Sequence, residues 1–293
     1  MHDFFDLFLL KSVLKLTTPL LFAALGGLLS EKSGVMNIAL EGLMLLGAFF
    51  GVVGVWYFHS VWLGMVLGVL AAMVAALIHA YWCIGLRADQ IVAATAINLL
   101  GSGLTIFLLQ RIWGVSGQSP RVTRLPVIWG TMSILVPVAF GFVPIVWWVL
   151  NRTKIGLHIQ AAGEQPLAAE SVGINVNLYR YVCVTLSGFF AGLGGIYLSL
   201  GELSGFSREM TQGKGFIALA AVIFGNWSPV GAMVACILFA GSQAFTIQAQ
   251  ATGLGINTDF LLALPYLLTV VAIAGVVRKS RAPAGLGQHA TNR

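Results

Sequence analysis

The backbone is the strictest constraint on this chain. Apolar runs long enough to cross a bilayer follow one another from near residue 12 to residue 277, separated by short polar gaps. Within hydrocarbon every N–H and C=O must find a partner inside the protein, which a helix provides for itself. Candidate spans lie at 12–29, 35–57, 61–84, 90–110, 127–150, 176–200, 212–226, 229–249 and 259–277. Residues 1–10, MHDFFDLFLL, are short and carry two aspartates, which predicts an interfacial helix and not a span.

Composition agrees with this reading and narrows it. Hydrophobic residues make up 58% of the chain and charged residues 9%, against about 25% charged in soluble globular proteins. The expected fold is an all-α polytopic membrane protein, one domain over 1–293, with about eight to ten transmembrane helices, some of them broken or short. The net charge of +6 would suggest nucleic acid in a soluble protein. Here the basic residues lie near span ends, where lipid head groups and topology account for them, so no nucleic-acid partner is expected. Cys83, Cys183 and Cys236 sit in apolar surroundings at no metal-ligand spacing and read as small buried hydrophobes. No metal or cofactor is expected. The first apolar run passes directly into further spans, so nothing at the start reads as a cleaved signal.

One polar island interrupts the apolar runs. Ile155 to Asn175, IGLHIQAAGEQPLAAESVGIN, places Pro166 at a first helical position, Ala168, Ala169 and Glu170 as helix formers, and Gly173 as C-terminal cap. This predicts a short helix outside the bilayer. Arg152, Lys154 and Arg180 flank it, so the positive-inside rule puts it in the cytoplasm, together with the basic tail 278–293. Counting spans backwards then puts the turns at Lys32 and Arg87 on the same side and the N-terminus opposite.

Two spans read as broken. The second opens SGVMNIALEG, which would place Asn37 and Glu41 on one helical face. The seventh, TQGKGFIALAAVIFGNW, has too few uninterrupted apolar residues to cross about 30 Å of hydrocarbon. Short, glycine-interrupted spans point to a solute path. Glycine and alanine also recur every four residues at Gly64, Gly68, Ala72, Ala76 and Ala80, with a second small face around Gly188 and Gly192. Such faces either pack the bundle internally or form a moving interface.

Candidate path residues follow from their cost in the membrane. Glu41 is the one acid well inside a predicted span, a functional candidate by default. The alternative is that it satisfies backbone amides at a helix start or lies near the interface. Asn98 and Gln243 are neutral mid-span groups suited to a polar uncharged solute or to interhelical bonding. Asn226 and Trp227 end the broken seventh span and could stack on and bind a ring, or anchor at the interface. His79, on a small-residue face, reads as structural. Enzyme motifs fail: Gly114-Val115-Ser116-Gly117 has no histidine in a later span to act as base. Around Gly213-Lys214-Gly215 a phosphate loop would need glycine at 208 and a hydroxyl at 215, where Arg208 and Gly215 stand.

The combination of ALGGLLSEKSGVMNIALEGLMLLGAF (Ala24 to Phe49), GLHIQAAGEQPLAAESVGINV (Gly156 to Val176), LSGFFAGLGGIYLSLG (Leu186 to Gly201) and GKGFIALAAVIFGNWSPVGA (Gly213 to Ala232) resembles the permease subunits of bacterial ABC importers. Within these it is most similar to the nucleoside and simple-sugar branch related to branched-chain amino acid permeases. The resemblance implies a multi-pass permease of the bacterial cytoplasmic membrane, not an enzyme. It would work with an ABC ATPase, a substrate-binding lipoprotein and a second permease subunit, in a homodimer or heterodimer. It also implies a coupling role for the cytoplasmic segment 152–176, carried by Gly163, Glu164, Pro166, Ala168, Ala169, Glu170 and Gly173. The family's EAAxxxG pattern reads Leu167-Ala168-Ala169-Glu170-Ser171-Val172-Gly173 here, with leucine in the glutamate position. The competing class is an ion-coupled secondary transporter or channel, which needs charged or carbonyl-lined ion sites. Glu41 is its one candidate.

Overall fold

The computed structural model describes residues 2–128, 130, 132–251 and 281–288. Its first helix, α1 (His2–Lys32), runs unbroken for 31 residues, or about 46 Å at 1.5 Å per residue. The separate interfacial helix expected for residues 1–10 is corrected: residues 2–10 continue into the span. No glycine or proline separates them.

The chain then leaves helical geometry at 33–39 before α2 (Leu40–Phe58). A tight turn at His59, left-handed at φ 51°, leads into α3 (Val61–Ala80), whose N-terminus is capped by the Ser60 hydroxyl. After a π-helical turn at Tyr81–Gly85 comes α4 (Gln90–Trp113), capped by Asp89, which accepts from the amides of Ile91 and Val92 at 2.9 Å. The expected span at 127–150 is shorter than predicted. Residues Val127–Ile128 (β1) and Met132–Ser133 (β2) form a hairpin turning at Gly130, φ +75°, and α5 (Leu135–Arg152) begins only after it. The polar island forms not one helix but two, α6 (Lys154–Glu164) and α7 (Pro166–Ser171). Then follow α8 (Val176–Ile196), extended by a π-helical stretch Tyr197–Leu203, the short α9 (Lys214–Phe224) and α10 (Pro229–Ala251). Among the described residues seven helices are long and apolar enough to span a membrane, with α9 a shorter eighth. The span expected at 259–277 lies outside the described residues.

Burial separates a centre from a rim. The apolar windows of α1, α2 and α8 are 72%, 78% and 78% buried, whereas those of α3, α4 and α5 are 33%, 28% and 33% buried and carry large side chains on the surface. The small faces lie in the centre. A Cβ on Gly68 would stand 2.5 Å from the Gly47 carbonyl, and one on Gly188 2.6 Å from the Ala76 methyl. The stripe therefore packs α3 against α2 and α8 inside the chain, backbone to backbone.

The molecule has two distinct ends. The Met36 amide donates to Gln90 Oε1 at 2.7 Å, and Gly34 and Gly163 pack together. The turns at Lys32 and 86–89 therefore share one end with α6, α7 and segment 281–288, hereafter the coupling end. At the far end, residues 117–125 run extended against 200–208. The amides of Ser119, Val122 and Leu125 donate to the carbonyls of Phe206, Ser204 and Leu200 at 2.8, 2.9 and 3.0 Å.

Candidate functional site

Two helix breaks meet inside the bundle. The first, 33–39, drops from the end of α1 into the interior, so Asn37 precedes α2 instead of sharing a helical face with Glu41. That expectation is corrected, and the reason is the backbone. In the break, Asn37 Oδ1 accepts from the Ala39 amide at 3.2 Å while its Nδ2 donates to Ser187 Oγ on α8 at 2.5 Å. Asn98 on α4 serves the same stretch from the other side. Its Oδ1 accepts from the Gly42 amide at 2.8 Å and its Nδ2 donates to the Ile38 carbonyl at 3.0 Å. One side chain thus satisfies a donor and an acceptor that the broken helix would otherwise leave bare in the membrane. Gly42 and Gly101 let the two helices approach closely enough for this, since a Cβ on Gly101 would stand 2.9 Å from Gly42 Cα.

The second break, 204–213, returns from the far end and delivers the start of α9 to the start of α2. Gln212 and Gly213 are left-handed, at φ 49° and 80°, turning the chain so that its next amides face Glu41. The Glu41 carboxylate takes both, Oε1 from the Gly213 amide at 2.7 Å and Oε2 from the Gly215 amide at 2.6 Å. Two helix N-termini, each carrying partial positive charge, thus converge on one carboxylate. Gly215 lies so close to the Glu41 backbone that no side chain fits there. Lys214, 9% exposed, donates to the Thr211 carbonyl at 3.4 Å. Of the two roles open to Glu41 in the sequence, the geometry displays amide capping at a helix start. Asn98 likewise bonds between helices.

The remaining path candidates fall elsewhere. Asn226 and Trp227 end α9 at the coupling end, both left-handed at φ 51° and 50°. The Trp227 indole N–H donates to Glu31 Oε2 at 2.5 Å and its ring is buried, while Asn226 Oδ1 accepts from the Arg281 amide at 3.0 Å. Gln243 is half-buried on α10 and makes no hydrogen bond to this cluster among the described residues. His79 sits buried on α3 with Nε2 3.4 Å from the Met36 carbonyl, a packing position.

Several polar and aromatic groups that the sequence did not single out lie toward the far end. Phe49 packs edge-on against Trp113 and Phe206, with ring centroids 5.9 and 5.1 Å apart. Among the described residues the buried Trp113 Nε1 and Thr211 Oγ1 have no hydrogen-bond partner. Nothing in the sequence marks them, and only the fold reveals that their bonding capacity is unused.

At the coupling end, Thr153 caps α6 by accepting from the Gly156 amide at 3.1 Å, and Pro166 opens α7. Gly163 is pressed against the end of α1, and Gly173 is left-handed at φ +84°. The two alanines do not share one exposed face. Ala169 is buried against Ala162 and Val176, whereas Ala168 faces out. The exposed apolar surface is supplied instead by Leu167 and Val172, 61% and 74% exposed, with Glu164 at the rim and Glu170 half-buried. Arg180, read in the sequence only as a topology signal, is 2% exposed. It donates to the carbonyls of Ser33, Ala162 and Gln288 at 3.1, 3.5 and 2.8 Å.

The known relatives of this sequence are transport permeases. Residues 9–273 match the family described as branched-chain amino acid transport system / permease component. The chain belongs to that family. This permease shares 37% identity with the guanosine ABC transporter permease protein NupQ of Bacillus subtilis, covering 95% of each chain. It shares 36% with the nucleoside ABC transporter permease protein NupC of Lactococcus lactis, again over 95% of each. With the putative glucose ABC transporter permease protein TsgC13 of Haloferax volcanii it shares 34%, over 87% of this chain and 82% of that one. It is a membrane transport component.

Proposed function

We propose that this permease moves a nucleoside across the bacterial cytoplasmic membrane as part of an ATP-driven importer, with sugar import as the second reading. The observation that carries the proposal is its similarity, along nearly the whole chain, to permeases named for guanosine and nucleosides. Similarity to a glucose permease supports the second reading. ATP is hydrolysed by a separate ATPase, which docks on α7 through Leu167, Ala168 and Val172 at the cytoplasmic end. A substrate-binding lipoprotein delivers the solute at the opposite face, and a second permease subunit completes the pore.

In this reading the solute passes beside the meeting point of the two breaks. Asn37, Glu41 and Asn98 position that point and are not themselves emptied to receive the solute. Withdrawal of segment 204–213, which carries Phe206 and Thr211 with it, uncovers Phe49 and Trp113, rings suited to stack on a base. The Trp113 N–H, already without a partner among the described residues, could then bond to a polar edge. Asn226 and Trp227 stand at the inward end of the proposed route, and Gln243 of α10 lies further along it. Reconstitution with the ATPase and lipoprotein, followed by uptake of labelled guanosine and glucose, tests the reading. ATP-dependent guanosine uptake is expected to persist in a protonophore; uptake that needs the proton gradient and no ATPase would replace this reading with ion-coupled transport.

A further inference from the structure

Segment 281–288 crosses the coupling end and joins elements that barely touch one another. Its Arg281 amide donates to Asn226 Oδ1 at 3.0 Å, at the end of α9. Three residues later the Ala284 amide donates to Glu164 Oε2 at 3.1 Å, and the Gly285 amide to the Gly163 carbonyl at 2.8 Å, both at the end of α6. Its far side is tied down by the Gly287 amide on the Gly34 carbonyl at 3.1 Å and by Arg180 Nη1 on the Gln288 carbonyl at 2.8 Å. Among the described residues α6 and α7 pack on α1, α5 and α8, while α9 packs on α1, α2 and α10. The two sets have only α1 in common, and the segment is a second link between them.

The fit is close on both sides. A Cβ on Gly285 would stand 2.7 Å from the Gly163 carbonyl and 2.9 Å from Pro166 Cδ, so the segment lies directly on the α6–α7 corner. Ala284 lines a cleft with Ala168, Ala169 and Val172 of the docking helix and its flank. At the other end, Asn226 and Trp227 hold consecutive left-handed conformations, which a bulky residue such as Trp227 rarely adopts unless its surroundings impose it. The end of α9 is thus sensitive to what holds it.

We propose that segment 281–288 is a strap that passes movement of α6 and α7 to α9. The proposal rests on the reading that α7 docks an ATPase. Displacement of Gly163 and Glu164 pulls the Gly285 and Ala284 amides, Arg281 carries the pull to Asn226, and α9 delivers it about 16 Å away to the end gripped by Glu41.

The test uses the complete transporter with its ATPase in proteoliposomes. Arg281→Pro and Ala284→Pro each remove one amide donor and leave the rest of the segment in place. In the double variant the ATPase is expected to co-purify and to hydrolyse ATP at the wild-type rate, while ATP-driven guanosine uptake falls about tenfold or more. Hydrogen exchange across 214–224 reads the same step without a solute: ATP should alter it in the wild type and not in the variant. Wild-type uptake and an unchanged exchange response in the variant would overturn the proposal. Loss of the ATPase from the variant would overturn it too, by making the segment a docking element. Ala168→Trp separates the two layers. If it leaves ATPase association and uptake intact, the docking reading itself fails and the strap falls with it; if it abolishes association while the double proline variant transports normally, only the strap falls.

Discussion

The two ends of α9 are held by opposite means. Its start, deep in the bundle, is fixed by one carboxylate that accepts the Gly213 and Gly215 amides. Its end, at the coupling end, is fixed by two ties from distant parts of the chain: the buried Trp227 indole on the buried Glu31 carboxylate and the exposed Arg281 amide on Asn226. Solvent separates the two ends only in part. In hydrocarbon a single charged acceptor without competing water is worth more than in an aqueous setting, and leaving a donor unpaired is costly. At the other end the Trp227–Glu31 bond is equally buried, and only the Arg281–Asn226 bond competes with water.

The sharpest way to break this contrast is at Glu41. Glu41→Ala strands two buried amides at about 1–3 kcal/mol each, so uptake should fall about a hundredfold or more, and hydrogen exchange should rise at 213–217. Glu41→Gln keeps an acceptor oxygen and should retain several times more uptake than the alanine variant. Equal loss in both would mean that charge, and not amide capping, is what the position supplies. Asn98→Leu, which removes one acceptor and one donor from the first break, should lower stability by about 2 kcal/mol, read as a drop in the thermal midpoint of the purified protein. Trp227→Phe keeps the ring and removes the N–H. It should cost about 1–2 kcal/mol and raise exchange most at 222–227, with a smaller change at 213–216 carried along α9. No change at the start of α9 would show that the two ends are held independently. Gln243→Ala should be the mildest, within about 0.5 kcal/mol of wild type in stability, with uptake the more informative measurement.

Much of the architecture was legible in the chain. Apolar run length gave the spans, the glycines of TQGKGFIALAAVIFGNW gave the short α9, and Pro166 with Gly173 gave the outer helix. What failed did so for local reasons. Residues 127–134 are apolar enough to pass as the start of a span, but the turn at Gly130 makes them a hairpin. Asn37 and Glu41 have helical spacing, but Asn37 serves better bridging the Ala39 amide and Ser187 than continuing a helix. The roles of Asn98 and Arg180 were beyond periodicity altogether, because their partners lie 56 to 60 and 18 to 147 residues away in sequence. Repetition of small residues announces a close contact but not its partner, so only coordinates could assign the stripe on α3 to α2 and α8.

That contact restricts how a pore could open. Where Gly47, Gly68, Gly188 and Gly192 bring three main chains together with almost no side chain between them, there is no slack to absorb sliding or tilting. These three helices should travel as a single plate, and any pivot must fall on seams padded by bulkier groups.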